Sequence, residues 1–193
     1  MSQLQTLAKP ILIPLVTGDP IVLDRFAQQT IAAWAAMEIM TAEYFDKYKV
    51  AVSSAERNHL RLTRTVPDNW KIWIGFYKRQ NWKGLWAHNV FPISREGDIV
   101  EMMDNGLPRP NTQTTTFVVG ELYIHAFSSA LKEMVNMIRI GPNTRGESTF
   151  AQIWPRNDSV IVWPANPMTD RDADTVASAF LTFAQKVGPA RRS

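Results

Sequence analysis

The chain has 193 residues, of which 45% are apolar and 20% charged, a composition typical of a globular domain that excludes disordered and collagen-like chains. It has no cysteine, which excludes disulfides, iron–sulfur clusters, thiolate zinc sites and a cysteine nucleophile. Its three histidines, His59, His88 and His125, would all have to converge to hold a metal, so we expect no metal site and no cofactor. The formal net charge of +3 permits a nucleic-acid partner without requiring one.

The first predicted helix follows an extended N-terminal segment over residues 1–18. Asp19 and Pro20 are typical of a helix start. The Asp side chain can accept hydrogen bonds from the unpaired amides of the first turn, and Pro lacks only an amide that would be unpaired there. A long helix is predicted over residues 20–49. Its stretch from Ile31 to Met40 is apolar on most sides, so we expect it to be central to the fold or to pack against its twin in a homodimer.

No segment is predicted to cross a membrane. The stretch from Ile31 to Met40 is far shorter than the roughly 20 residues that a bilayer requires. The N-terminal residues lack the basic region and cleavage site of a signal peptide. We therefore expect no membrane partner and a cytoplasmic location.

The hydrophobic period then changes from 3.6 to 2. Residues 59–66, 70–78 and 82–91 alternate apolar and polar side chains and are joined by turn residues, which predicts an antiparallel meander. Residues 114–127 form a further predicted strand. A middle helix is predicted from Ser128 or Ser129 to Ile140.

Two short strands are predicted over residues 150–154 and 160–163. The last helix is expected to begin at a capping box of Thr169 and Asp172 and to end at Gly188, leaving residues 189–193 as a frayed tail. Because the strands follow one another without helices between them, we expect one α+β domain over residues 1–193. Its sheet should be mainly antiparallel, with about five to seven strands.

The candidate catalytic residues are His125, Glu121 and His88. Glu121 and His125 fall on the same face of one predicted strand, about 13 Å apart, which is too far for a direct acid–base pair. A role in a metal-independent enzyme therefore requires a partner from another strand, such as His88. The alternative is that these are polar residues satisfied by structural hydrogen bonds.

An aromatic and basic stretch is the most distinctive feature, and it supplies the candidate binding residues: Lys71, Trp73, Tyr77, Arg79, Trp82, Lys83 and Trp86. On an open sheet face, such aromatic rings could stack nucleic-acid bases while the cations neutralise phosphates. The alternative is that the tryptophans pack in the core and across neighbouring strands.

Several segments resemble an uncharacterised group of bacterial HNH-endonuclease-like proteins. The matching residues are Met1-Ser2-Gln3-Leu4-Gln5, Ala8-Lys9-Pro10-Ile11-Leu12, Pro14-Leu15, Gly18, Ala32-Ala33-Trp34-Ala35-Ala36, and residues 70–77 and 111–129. In that group the first segment follows a C-x-x-C-N-x-x-W-M-S zinc knuckle, of which this chain has only the final Met-Ser. The catalytic residues of that group therefore have no counterparts here.

The resemblance implies a non-catalytic accessory or binding domain related to HNH-like nuclease proteins, and we expect this chain alone not to be an enzyme. Either an upstream nuclease module is missing or the chain is a stand-alone relative of the C-terminal domain. The expected partners are DNA or a protein, bound through the aromatic and basic face. The alternatives are a metal-independent enzyme that uses His125, Glu121 and His88, and a structural module that oligomerises.

Overall fold

The computed structural model describes residues 3–78, 86–95, 97–142, 146, 148–156 and 159–187. Within these ranges the α-helices are α1 (Gln3–Thr17), α2 (Arg25–Ala42), α3 (Ser54–Thr63), α4 (Lys132–Met137) and α5 (Asp170–Val187). The strands are β1 (Ile21–Leu23), β2 (Trp70–Tyr77), β3 (Trp86–Phe91), β4 (Thr112–Val119), β5 (Leu122–Ser129), β6 (Phe150–Trp154), β7 (Ile161–Trp163) and β8 (Pro167–Met168).

The main sheet has the order β3-β4-β5-β2-β6 and is antiparallel, except that the short β8 lies parallel to β2. Strands β1 and β7 form a separate antiparallel pair. The α+β class with a mainly antiparallel sheet is therefore confirmed. Strands β3, β4 and β5 form a meander, but the one expected over residues 59–66, 70–78 and 82–91 is not formed, because β2 pairs with β5 and β6 rather than with β3.

Helices cover both faces of this sheet. On one face, residues of α1 and α2 pack with Ile72, Ile74 and Ile124 in the largest hydrophobic cluster. On the other face, Val176 and Phe180 of α5 and residues of α4 pack against Trp73 and Phe127. Consecutive residues of a strand point to opposite faces, so each central strand is buried on both sides.

The expectation of an extended segment over residues 1–18 is wrong, because residues 3–17 form helix α1 despite Pro10 and Pro14 inside it. Leu4, Ala8, Ile11 and Leu15 recur at spacings of three and four residues. They pack against the core, with Ala8 and Leu15 fully buried. The burial of this stripe offsets the hydrogen bonds that the prolines cannot donate.

The predicted helix over residues 20–49 is also too long at both ends. Residues 21–23 pair with β7, and helix α2 begins after Asp24, whose side chain accepts a hydrogen bond of 2.8 Å from the Ala27 amide. Asp24 is therefore the N-cap in place of Asp19. The helix ends at Ala42, where two single 3-10 turns follow over Glu43–Phe45 and Lys47–Lys49.

The predicted strand over residues 59–66 is helix α3 instead. Ser53 and Glu56 form a capping box in which each side chain accepts the other's backbone amide, and this initiates the helix. Only Leu60 of this helix is buried, whereas Leu62 is exposed. The alternation of Leu60 and Leu62 therefore does not correspond to the buried face of a strand.

The predicted strand over residues 114–127 is a hairpin of β4 and β5 with its turn at Gly120 and Glu121. Gly120 has φ 59°, and a Cβ there would lie 2.2 Å from the carbonyl oxygen of Val16. Only glycine tolerates this close approach to the end of α1. The Glu121 amide donates a hydrogen bond of 2.8 Å to the same oxygen, which fixes the turn against α1.

The C-terminal helix agrees with its prediction. The Thr169 amide donates to the Asp172 carboxylate at 2.8 Å, and the Asp172 amide donates to the Thr169 hydroxyl at 3.3 Å. The middle helix α4 is shorter than predicted, since it spans only residues 132–137. The predicted tail over residues 189–193 lies outside the described residues.

Candidate functional site

His125 is a residue of the core. It is fully buried, its ring lies 4.2 Å from the ring of Phe180, and its Nδ1 is hydrogen-bonded to Thr116 Oγ1 at 2.7 Å. Burial lowers the pKa of His125 to about 3, so the ring is neutral at physiological pH.

His88 lies on the opposite face of the sheet from His125. It pairs with Thr115 across β3 and β4, whereas His125 pairs with Thr116, and adjacent residues of a strand point to opposite sides. The Nε2 atom of His88 faces two acceptors, the Lys49 carbonyl oxygen at 3.1 Å and the Glu43 Oε1 at 3.6 Å. Nε2 therefore carries a proton, and burial lowers the pKa of the ring.

Glu121 is in the turn between β4 and β5, where its side chain lies beside Gly18 at the end of α1. The hairpin end that carries Glu121 is displaced along the strands from His125 and from Thr115, the β4 residue that pairs with His88. The three candidate catalytic residues therefore do not share a pocket. The structural interpretation of these residues fits the geometry better than a shared acid–base site.

The open aromatic and basic sheet face is not present at the described residues. Lys71, Trp73 and Tyr77 point to the face covered by α4 and α5, and all three are buried. The Lys71 ammonium donates to the Ile138 carbonyl oxygen at 2.8 Å, and burial lowers its pKa. These residues pack in the core because β2 is a central strand, paired on both edges and covered on both faces.

The other members of that predicted face have different placements. Arg79, Trp82 and Lys83 lie outside the described residues. Trp86 points to the opposite face, toward α2, where its ring lies 5.3 Å from that of Phe117 and remains 45% exposed. It is the one described member of the set whose ring is open to solvent.

The apolar stretch from Ile31 to Met40 is buried within this chain. Ile31, Ala35 and Ile39 are fully buried between α1 and the sheet. Only Trp34, Met37 and Glu38 of this stretch are partly exposed. The surface that suggested a homodimer is therefore already covered by the chain's own elements.

A buried carboxylate holds the segment that follows α2. Glu43 accepts hydrogen bonds from the amides of Ala51 at 3.0 Å and Val52 at 3.3 Å, and it forms an ion pair with Arg57. Burial raises the pKa of the Glu43 carboxyl, although these hydrogen bonds and Arg57 oppose the shift. The ion pair ties the segment over residues 43–50 to helix α3.

Aromatic rings stand exposed on this segment. Tyr44 is 76% exposed and Phe45 is 91% exposed, and both lie next to the fully buried Glu43 side chain. Folded chains usually bury such rings, since each ring buries a large apolar area. Both rings are therefore available to contact a ligand, on a segment that is held in place by Glu43.

Arginines lie along helix α3 and at its end. Arg57 and Arg61 are four residues apart, the spacing that aligns side chains on one helix face, and Arg64 is the C-cap residue with φ 59°. Together with Tyr44 they line a groove of about 410 Å³ between α3, the end of α2 and the start of α1, which we call the α3 groove. The guanidinium of Arg57 lies over the Tyr44 ring, 4.7 Å from its centroid.

A second cavity of about 650 Å³ lies on the other side of Glu43, and we call it the Phe45 cleft. Phe45 and Trp86 line it. The positive charge of Lys49 in this cleft is balanced by Asp46, because the Lys49 Nζ lies 3.8 Å from the Asp46 Oδ2. The cleft therefore offers rings without net charge, whereas the α3 groove offers cations.

We call the rings and arginines that line these two cavities the aromatic-basic surface: Tyr44, Phe45, Trp86, Arg57, Arg61 and Arg64. Only Trp86 was among the residues singled out from the sequence. The sequence did not predict the arginine cluster, because residues 59–66 alternate like a strand and this alternation obscures the helical spacing. The capping box of Ser53 and Glu56 is the sequence signal that could have revealed the row.

No cluster of three or more metal-ligating side chains occurs within the described ranges of the chain. None of the helices in those ranges is long and apolar enough to span a bilayer. Comparisons with known protein families, with curated proteins and with solved structures found no match to this chain.

Proposed function

We propose that this chain is a non-catalytic binding domain that holds single-stranded nucleic acid on its aromatic-basic surface. The resemblance to HNH-endonuclease-like proteins implies this accessory role. We place the binding surface at the end of α2 instead of on the face of β2. The observation that carries the proposal is the exposed Tyr44 ring in the arginine-lined α3 groove, with the exposed Phe45 ring next to it in the chain.

Single-stranded nucleic acid fits these groups better than a duplex. Unpaired bases can stack on exposed rings whatever their sequence, and each stacked base contributes about 1–3 kcal/mol. Arg61 and Arg64 can neutralise the neighbouring phosphates, since no acidic side chain among the described residues forms an ion pair with either. The ion pair between Glu43 and Arg57 joins the segment that carries the two rings to the helix that carries the arginines.

The hydrogen bonds of the buried polar residues support a role in binding rather than in catalysis. The His88 Nε2 proton is committed to the Lys49 carbonyl, and its Nδ1 is hydrogen-bonded to the buried Thr115. The Glu43 carboxylate is occupied by Arg57 and two amides. A general acid or base must instead reach the substrate directly.

Fluorescence anisotropy with labelled oligothymidylate, titrated between about 50 and about 200 mM salt, tests the proposal. Arg61→Gln should weaken binding and reduce the salt slope by about 0.7, the value for one lost phosphate contact on a single strand. Phe45→Ala should weaken binding with little change of slope, because stacking involves no counterion release.

Matched controls exist for both substitutions. Arg171→Gln removes the same charge on α5, on the other side of the sheet, and should leave binding unchanged. Phe26→Ala removes another exposed ring at the start of α2, roughly 27 Å along the helix from Tyr44. Absence of binding at low salt, or equal losses in the controls, would contradict the proposal and favour a protein partner.

A further inference from the structure

The α3 groove has the size of a small-ligand site. Its volume of about 410 Å³ falls within the range of about 300–1,000 Å³ that is typical of ligand pockets. Three helices bound it, since Leu4 comes from α1, Met37 and Met40 from α2, and Leu60 from α3. A groove of this size accommodates a single nucleotide or the end of a strand.

The charge inside the groove matches a doubly charged anion. Arg57 is neutralised by Glu43, which leaves Arg61 and Arg64 as the uncompensated cations among the described lining residues. Arg64 is placed by a hydrogen bond from its guanidinium to Gln3 Oε1, at the first turn of α1. A phosphomonoester carries a charge of about −1.5 to −2 near pH 7, whereas an internal phosphodiester carries a single charge.

The remaining walls suit a planar ring. Met40 and Leu60 are buried apolar side chains at the base of the groove, and Leu4 and Met37 pack beside them. The Tyr44 ring lies at the edge of the groove, with the Arg57 guanidinium over one of its faces. Aromatic and guanidinium planes both stack on nucleobases.

We propose that the α3 groove binds the terminal phosphomonoester and the attached base of a nucleotide, either free or at the end of a nucleic-acid strand. The phosphate is held by Arg61 and Arg64, and the base lies against Tyr44 and the apolar floor. This inference rests on the proposed function, because it specifies which part of the nucleic acid enters the groove.

Calorimetric titration with thymidine monophosphate, thymidine and inorganic phosphate tests the groove without a polymer. We expect the monophosphate to bind at least about tenfold more tightly than either fragment, since it engages the arginines and the ring together. Arg61→Gln should abolish this preference. Arg61→Lys should restore it only in part, because lysine lacks the planar fork of donors. Arg171→Gln is the control with unchanged binding.

Anisotropy with short oligothymidylates distinguishes strand ends from free nucleotides. Oligomers with a 5′-phosphate, a 3′-phosphate or no terminal phosphate are compared in the wild type. A preference of about tenfold for one phosphorylated end, removed by Arg61→Gln, supports the strand-end form. Binding of the monophosphate with no preference among oligomers supports the free nucleotide.

The two proposals fail in different ways. If all three oligomers bind equally and the monophosphate binds no better than thymidine, this inference is wrong while the proposed function stands. If no oligomer binds but the monophosphate does, the groove is a nucleotide site and the proposed function is wrong. If nothing binds at low salt, both are wrong.

Discussion

Two regions of this molecule combine aromatic and basic residues, and they differ in whether the aromatic rings are buried or exposed to solvent. In β2, Lys71, Trp73 and Tyr77 are buried beneath α4 and α5. After α2, the Tyr44 and Phe45 rings are exposed, and Tyr44 shares a groove with the arginines of α3. A central strand is covered on both faces, whereas a short turn after a helix is not. Position in the fold, rather than residue type, therefore decides which aromatic rings can meet a ligand.

The largest contrast is expected in stability. Trp73→Ala removes a buried ring from the second face of the sheet and should lower the free energy of unfolding by about 3–5 kcal/mol. Phe45→Ala removes a ring that is 91% exposed and should change the same quantity by less than about 0.5 kcal/mol. Urea denaturation measures both. Similar losses in the two variants would mean that the contrast between these regions is wrong.

The buried His125 should make stability depend on pH. The unfolded chain protonates this histidine below about pH 6.5, whereas the folded chain keeps it neutral down to about pH 3. The unfolded state therefore binds more protons, so the free energy of unfolding should fall by about 2 to 3 kcal/mol between pH 7 and about pH 4.5.

Urea denaturation at a series of pH values measures this dependence. His125→Phe should remove that part of the slope, and His59→Gln, on an exposed position of α3, should retain it. An unchanged slope in His125→Phe would show that other groups cause the pH dependence.

Trp86 tests how far the aromatic-basic surface extends across the Phe45 cleft. If bases stack on Trp86, then Trp86→Ala should reduce the affinity for oligothymidylate by about 1–3 kcal/mol at constant salt. Phe26→Ala, which removes another exposed ring, should not. An affinity unchanged by Trp86→Ala would restrict the surface to Tyr44, Phe45 and the arginine row.

The smallest effect is expected at the start of α3. Ser53→Ala removes the side chain that accepts the Glu56 amide and should cost about 1 kcal/mol of stability. Because this helix positions the three arginines, the variant should also weaken oligothymidylate binding slightly. Ser54→Ala, at the neighbouring exposed position, is the control with both properties unchanged. A loss in Ser54→Ala equal to that in Ser53→Ala would contradict the capping role.

Elements with local signals were predicted well from the sequence. Thr169 and Asp172 initiate α5 as expected, and strands form over residues 150–154 and 161–163, close to the predicted bounds of 150–154 and 160–163. Elements that depend on distant partners were not. Helix α1 forms around two prolines only because α2 covers its apolar stripe. Residues 21–23 form a strand only because β7 pairs with them.

For the candidate site, the sequence indicated rings and cations on β2, whereas the surface proposed here lies at the end of α2 and on α3. His88 and His125 looked alike as candidates, and only the pairing of β3, β4 and β5 separates them to opposite faces of the sheet. Similarly, Arg57, Arg61 and Arg64 became a row only when α3 formed. Single-residue chemistry is local, but convergence of side chains requires contacts between elements that are far apart in the chain.

By itself, the sequence determined the α+β class and the absence of any thiol chemistry, because composition and the change of hydrophobic period are properties of the chain alone. The tertiary structure decided which rings are covered and which arginines face one groove. Burial and convergence depend on how helices and strands pack against one another. No local pattern around Tyr44 or Arg61 encodes that packing.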